Sequence, residues 1–396
     1  VTRGVSDSDT VAALAERARE AGRLAVDTEF MGEGRYWPLL CLVAIAVDDG
    51  DGEGPQAVLI DPLEPYDGEP LAEALADPEV QVVVHAGRHD VALLRRALNT
   101  EITNVFDTQV AGAFVGLGAN QGYGRLVQAV LNVRLDKGES FTRWDQRPLS
   151  ERQLAYARND VTHLVTLAER LMERLEDAGR LDWALDECKS LESATDERDP
   201  NEAWRRVSRV TRLSASQLAV ARSLAAWRER TAATEDKPPS AVVGDTQLLE
   251  LARRRPRDIK ELREVRGLFG RTIKRRGTEI LAAIEEGLEA EPIKLDEGRP
   301  PPDQRAGPLV AMAEALVRTR VQQARLAYEL VATRAELTAF ADSVVRGEPE
   351  PDVRVLHGWR RELVGAELIE LLHGRRSLVV TRKSRVELRP VDGDGD

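Results

Sequence analysis

Apolar residues along this chain follow two rhythms, and the change from one to the other divides it. Residues 9–21 set Val11, Leu14, Ala15 and Ala18 at helical spacing. RLAVDTEF, LLCLVAIAV, AVLIDP and VQVVVHA then have the length and β-branched content of four strands, and HDVALLRRAL follows the last as a helix. From residue 107 to 191 the pattern reads as helical. ERQLAYARNDVTHLVTLAERLMERL predicts one long helix with Ser150 as its N-cap. Strands early and helices later predict an α/β domain over residues 1–191, a mixed sheet flanked by helices.

Residues 192–212 open with the polar run ESATDERDPNEA and read as a linker. Residues 213–290 show only helical periods, with Asp245, Gly267 and Gly270 at helix ends. Residues 291–308 hold five prolines and no period, which predicts a second linker. Residues 309–376 form another helical block whose last helix, VGAELIELLHG, stops at Gly374. The two helical blocks have similar length and helix order, as an internal duplication would produce. Residues 377–396 read as a tail with a disordered end.

Composition narrows the class. With 42% hydrophobic and 31% charged residues, the chain can form packed cores under a wet surface. No apolar run approaches the ~18 residues of a membrane span. VTRGVSDSDT lacks the basic and apolar regions of a secretion signal, so the expectation is a cytoplasmic protein without membrane contact. Cys41 and Cys188 are the only cysteines and read as free thiols. No Cys/His cluster supports zinc as the main cofactor. The net charge of −12 conceals a basic run: residues 253–276 carry eleven Lys/Arg against three acids, a local net of +8. Arg254, Arg255 and Lys274 are its candidates for tracking phosphates; a solvated helical surface is the alternative.

Three short segments carry the candidate chemistry. AVDTEF places Asp27 and Glu29 two apart in a strand, hence on one face. HAGRHD brings Asp90 to a strand–helix junction. YARND sets Tyr156 and Asp160 four apart on one helix face. Each has a plain structural alternative: a solvated strand face, an N-cap by Asp90, a Tyr–Asp surface pair. Together they supply four carboxylates and a phenol, the inventory of a site for two Mg²⁺ or Mn²⁺ ions that cleaves phosphodiesters. A phenol of pKa ~10 is a poor general base at neutral pH, so Tyr156 is better suited to orienting the attacking water.

With these residues in place, the chain resembles bacterial ribonuclease D, within the DnaQ-like DEDD superfamily of 3′–5′ exonucleases. DTEF and HAGRHD resemble that family's first two motifs, and FTRWDQRPLSERQLAYARNDVTHL its third; Tyr156 marks the Tyr subclass. The resemblance covers about residues 9–190. DKPPSAVVGDTQLLELARRRP with ELREVRGL resembles a first HRDC domain, and residues 309–376 a more divergent second one. YWPLLCLVAIA departs from the family, many of whose members carry Gln or Lys among these apolar positions.

The resemblance implies an RNase H-like fold followed by two all-α HRDC domains. It implies that Asp27, Glu29 and Asp160 hold the metal that activates water, with Asp27 bridging to a second ion that Asp90 supports. Phe30 and Met31 would wedge against terminal bases, and His85 would have a supporting or substrate role. Arg143, Trp144 and Arg147 would contact the strand or brace the third-motif helix. The implied product is a nucleoside 5′-monophosphate released from the 3′ ends of tRNA precursors or other structured RNAs. The implied partner is RNA, with no obligate protein. Two alternatives stand beside this reading: a DNA exonuclease of the repair type and a catalytically silent RNA-binding scaffold.

Overall fold

The computed structural model describes residues 7–48, 54–135, 143–294, 302–383 and 385–391. Its centre is a five-stranded sheet built from β1 (Arg23–Met31), β2 (Leu39–Val47), β3 (Gln56–Ile60), β4 (Gln81–Val84) and β5 (Val105–Asp107). The spatial order is β3-β2-β1-β4-β5. β1 runs antiparallel to β2 and parallel to β4, so the central strand joins an antiparallel half to a parallel half.

Both faces of the sheet are covered because its strands carry apolar residues on both. On one face, Leu24, Val26, Val43, Ile45, Val82 and Val84 meet α1 (Ser8–Ala21), α2 (Glu69–Ala76) and α3 (Arg88–Leu98). On the other, Ala25, Leu42, Ala44, Val83 and Phe106 meet a helical layer. That layer comprises α4 (Thr108–Phe114), α5 (Tyr123–Leu131), α6 (Glu151–Thr162), α7 (Leu164–Asp177) and α8 (Leu181–Glu192). Asp27 and Glu29 continue the Ala25 face of β1 and therefore point toward the second layer.

Three sequence expectations change here. The single long helix predicted after Ser150 is two, α6 and α7, broken at His163. The stretch read as uniformly helical from residue 107 begins with Asp107 as the last residue of β5, a three-residue strand too short to show a period. Residues 192–212 are not a free linker. They fold into 3₁₀ turns at Pro200–Arg206 and Val210–Arg212, and Trp204, Val207 and Val210 are buried in the core of the helical domain that follows.

That domain consists of α9 (Ala215–Glu235), α10 (Pro239–Val242), α11 (Asp245–Arg254), α12 (Ile259–Arg263) and α13 (Gly270–Glu289). It grips the five-stranded sheet through the β1–β2 connection. Asp236, in left-handed conformation at the end of α9, accepts from the Tyr36 and Trp37 amides at 3.1 and 3.0 Å and pairs with Arg35 at 2.6 Å. The Tyr36 hydroxyl donates to buried Glu229 at 3.0 Å.

The second helical block repeats the order of the first: long α14 (Ala306–Ala324), one-turn α15 (Tyr328–Val331), α16 (Arg334–Arg346), a 3₁₀ turn at Arg354–Leu356, and a helical run over residues 358–372 with a π turn at Arg361–Gly365. Residues 295–301 of the proline-rich segment lie outside the described residues. Residues 377–390 are largely ordered, which corrects the tail expectation. β6 (Arg376–Val380) and β7 (Val386–Pro390) form an antiparallel hairpin whose Leu378 and Leu388 pack on the block. Of RPVDGDGD, residues 389–396, expected to be disordered, Arg389 and Pro390 lie in β7, which corrects that part, and residues 392–396 lie outside the described residues. Both cysteines are buried free thiols, and no described helix is long and apolar enough to cross a membrane.

The second block shares one apolar core with the sheet domain. Trp359 stands edge-on to Phe114 at 4.8 Å and stacks on Trp183 at 5.4 Å. Trp359 is 3% exposed, so Trp359→Ala is expected to cost about 3–5 kcal/mol. The urea midpoint of the full chain checks this; an unchanged midpoint would show the contact to be dispensable.

Candidate functional site

The site starts on β1. Asp27 and Glu29 share the face toward α6, and Thr28 faces the opposite way. Just beyond Glu29 the register slips, leaving Cys41 of β2 without a partner opposite, a bulge that turns the end of β1. The freed Cys41 carbonyl is taken by Arg147 Nη2 at 2.8 Å.

Asp90 reaches the site through a turn that is pinned from behind. Asp107 accepts from the Ala86 and Gly87 amides at 3.1 and 3.0 Å while capping α4 through Gln109 N at 2.7 Å. Gly87 is required there because a β-carbon would lie 2.4 Å from Val84 Cβ. Gly87, not Asp90, is the N-cap of α3, so the capping alternative fails. Asp90 Oδ1 instead accepts from Thr28 N at 3.0 Å and from the Thr28 hydroxyl.

Asp160 and Tyr156 come from α6, which a Ser150–Gln153 capping box begins. Tyr156 donates its hydroxyl to Asp160. The break at His163 has a definite cause. Tyr123 Oη donates to the Asn159 carbonyl at 3.2 Å and accepts from the His163 amide at 3.3 Å. A phenol is thus inserted where the helical 163→159 bond would lie, a known way to bend a helix. Sequence reasoning missed Tyr123, Thr28 and Asp107. Their partners lie 36–40, 62 and about 20 residues away, so no local spacing marks them.

Carboxylate oxygens of Asp27, Glu29 and Asp160 all lie within 4.8 Å of one another. Asp90 stands outside that cluster, on Thr28, yet its charge is felt by Asp27. Burial and then the neighbouring carboxylates raise Asp27 well above the usual carboxylate range. Burial, Asp160 and Asp90 push Glu29 up to about 8, and burial pushes Asp160 up to about 6. Burial and the same acids raise the Tyr156 phenol further, so it stays protonated and serves as a donor. Such a set of hard oxygen donors fits divalent cations.

The other predicted residues divide. Phe30 is 37% exposed at the end of β1, 6.3 Å from the His89 ring, and Met31 is half-buried. His85 Nδ1 lies 3.0 Å from the Thr108 hydroxyl and its ring 5.6 Å from Tyr123. Arg147 is committed to Asp61 at 2.5 Å and to the Trp144, Gln146 and Cys41 carbonyls, and Trp144 is buried against Tyr156. Arg147 thereby ties the loop before α6 to the sheet, and Trp144 packs on α6. Arg143 is exposed and paired with Asp145 at 2.8 Å.

The basic run is partly self-neutralised. Arg253 and Arg254 pair with Glu250, and Arg275 and buried Arg276 pair with Glu235. Arg255 and exposed Lys260, Arg263, Arg266, Arg271 and Lys274 have no carboxylate partner among the described residues, and Phe269, 74% exposed, stands among them.

Residues 2–176 match a family described as 3′-5′ exonuclease, and residues 217–284 match the HRDC domain. The chain is 37% identical to ribonuclease D of Gluconacetobacter diazotrophicus over 394 residues, 96% of each chain. It is 36% identical to ribonuclease D of Sphingobium indicum over 384 residues, 95% of this chain and 96% of that one. It superposes on the crystal structure of Escherichia coli RNase D, an exoribonuclease involved in structured RNA processing. That match has a TM-score of 0.77 and 31% identity, and covers 93% of this chain and 98% of that one.

The crowded carboxylates set a pH dependence of stability. Glu29 titrates near 8 in the folded chain against an ordinary 4.5. Between those values the folded form holds a proton that the unfolded form has released, so stability falls as pH rises. In chelator, the melting temperature is expected to drop from pH 6 to 8.5. Mg²⁺ is expected to raise it, more at pH 8.5, and Asp27→Asn to raise it without metal. Thermal scans check all three; a flat metal-free profile would refute carboxylate crowding.

Proposed function

The chain belongs to the ribonuclease D family and is a 3′–5′ exoribonuclease, and we propose that it works with two divalent ions, Mg²⁺ or Mn²⁺, held by its carboxylate cluster. The observation that carries this reading is the convergence of Asp27, Glu29 and Asp160 within 4.8 Å, on a sheet strand and a braced helix. Asp27, Glu29 and Asp160 would hold one ion, and Asp27 with Asp90 the other. Such ions, when bound, activate a water and stabilise the leaving oxygen.

The chain's own groups do the rest. The Tyr156 hydroxyl, held protonated, donates to Asp160 in this structure, and would turn toward the reacting oxygens to orient the water once Asp160 holds an ion. The Thr28 bonds hold Asp90 in place as the cluster changes charge. Phe30, exposed beside the strand end, offers a ring for sequence-tolerant stacking on the terminal base. Water adds to the last phosphodiester, the 3′-oxygen of the penultimate nucleotide leaves, and a nucleoside 5′-monophosphate is released.

The substrates we infer are 3′ ends of tRNA precursors or other structured RNAs, in the cytoplasm. The first HRDC domain presents Arg255, Lys274 and their unpaired basic neighbours to phosphates, with Phe269 among them. The second block, with the same order of long, one-turn, medium and closing helices, is an HRDC-like domain repurposed to pack on the nuclease.

A labelled RNA with a folded 5′ portion and a single-stranded 3′ end, with Mg²⁺ or chelator, tests the reading against a matched DNA. Metal-dependent shortening of the RNA is expected. Asp27→Asn and Asp160→Asn are each expected to lose several kcal/mol of transition-state stabilisation, about 10³-fold in turnover. Full activity in either variant would refute the assignment. Replacing Arg254, Arg255 and Lys274 by Gln is expected to weaken RNA binding and reduce its salt slope by about two to three. Arg254 is already paired and contributes least. An unchanged slope would make the run a solvated surface.

A further inference from the structure

A cleft of about 1050 Å³ opens between α5 and α6, with Tyr156 and Asp160 in its wall. Nothing in the carboxylate chemistry requires it. On α6 the lining residues Arg152, Tyr156 and Asp160 recur every four positions, so one stripe leads away from the carboxylates. Eight residues of helix span about 12 Å, room for roughly two or three nucleotides at a strand spacing of ~3.4 Å or more. The facing wall is α5, with Gly124, Arg125 and Gln128.

We propose that this cleft is the track along which single-stranded RNA enters, and that Arg125 and Arg152 hold the phosphodiesters upstream of the scissile bond. The proposal rests on the exoribonuclease reading and adds positioning residues to it. Three observations argue for an extended anionic occupant. Arg125, Arg152 and Arg134 all line the cleft, whereas its acidic member, Asp160, stands at the end by the carboxylate cluster. Arg125 and Arg134 have no carboxylate partner among the described residues. The volume exceeds what one nucleotide fills, being at the upper end for sites that enclose a drug-sized ligand.

The fourth observation is a glycine with no packing reason. Gly124 lies in the first turn of α5, where glycine is a poor helix former. A β-carbon there would meet no atom of the described residues within 4 Å, and the same holds for Gly122 just before it. Packing among the described residues does not call for these glycines, whereas a strand lying close to the α5 backbone would. Gln128 and Asn159, both exposed on the cleft walls, supply amides that suit 2′-hydroxyls or base edges.

The test compares kcat/KM on an RNA dinucleotide and an RNA hexanucleotide, with Mg²⁺, for the full chain and three variants. Arg125→Gln and Arg152→Gln are each expected to lose about tenfold or more on the hexanucleotide, through KM, and much less on the dinucleotide. Together they are expected to lower the salt slope of hexanucleotide binding by about two. Gly124→Leu is expected to keep or raise the melting temperature while giving the same length-dependent loss. Equal losses on both lengths would place the terminal nucleotide, not the upstream strand, in the cleft and overturn the proposal. So would unchanged kinetics in the arginine variants. Failure of the unaltered chain to shorten any RNA would sink the exoribonuclease reading itself, whereas normal shortening with length-independent losses would sink only the track.

Discussion

Like charges crowded into a partly buried place set the terms for this molecule. Three carboxylates with oxygens inside 4.8 Å repel one another, and burial deprives them of the water that would screen that repulsion. Left to relax, such side chains would swing apart into solvent. They do not, because they are anchored to two rigid elements, a strand and a helix. Asp27 and Glu29 are fixed by the alternation of a central strand. Asp160 takes a phenol from its own helix, and Asp90 is tied to the back of that strand through Thr28. The protein holds a geometry that only added positive charge makes comfortable, the usual form of a preorganised metal site.

The anchoring continues outward. Tyr123 bends the chain immediately after Asp160 by replacing one helical hydrogen bond with two of its own. Arg147 ties the loop before α6 to Asp61 at the end of β3 and to the bulge carbonyl of Cys41. On the other side, the connection that leaves β1 is held by Asp236 of the first helical domain. That clip is only a few residues of backbone away from Glu29. The two helical domains have different relations to the nuclease. One takes Tyr36 of the β1–β2 connection into its own core and clips the neighbouring amides with Asp236; the other is fused into the nuclease's apolar core.

What was legible in the sequence was local. Strand alternation put Asp27 and Glu29 on one face, and helical spacing put Tyr156 beside Asp160. The mixed sheet followed from apolar runs alternating with turns. What escaped was set by distant partners. Asp107 looked like the start of a helix because a three-residue strand has no period. Trp204, Val207 and Val210 lie in an acidic, irregular stretch that reads as a linker until α9 supplies the surface they bury against. The hairpin at residues 376–390 has two short, charge-laced strands that gain support from packing on the second block. Asp90 was correctly singled out, but its tie to Thr28, 62 residues away, could not be read from spacing.

The shared core around Trp359 bears on how the chain is made. Phe114 and Trp183 emerge from the ribosome long before the indole that covers them. Until that late segment arrives, one flank of the nuclease remains a bare apolar surface, open to wrong partners and to holding chaperones. Contacts of such long sequence separation also slow the search for the native state. An enzyme that degrades RNA is thus assembled with one stabilising layer encoded well over a hundred residues after the surface it covers, so a product ending before Trp359 would lack that layer.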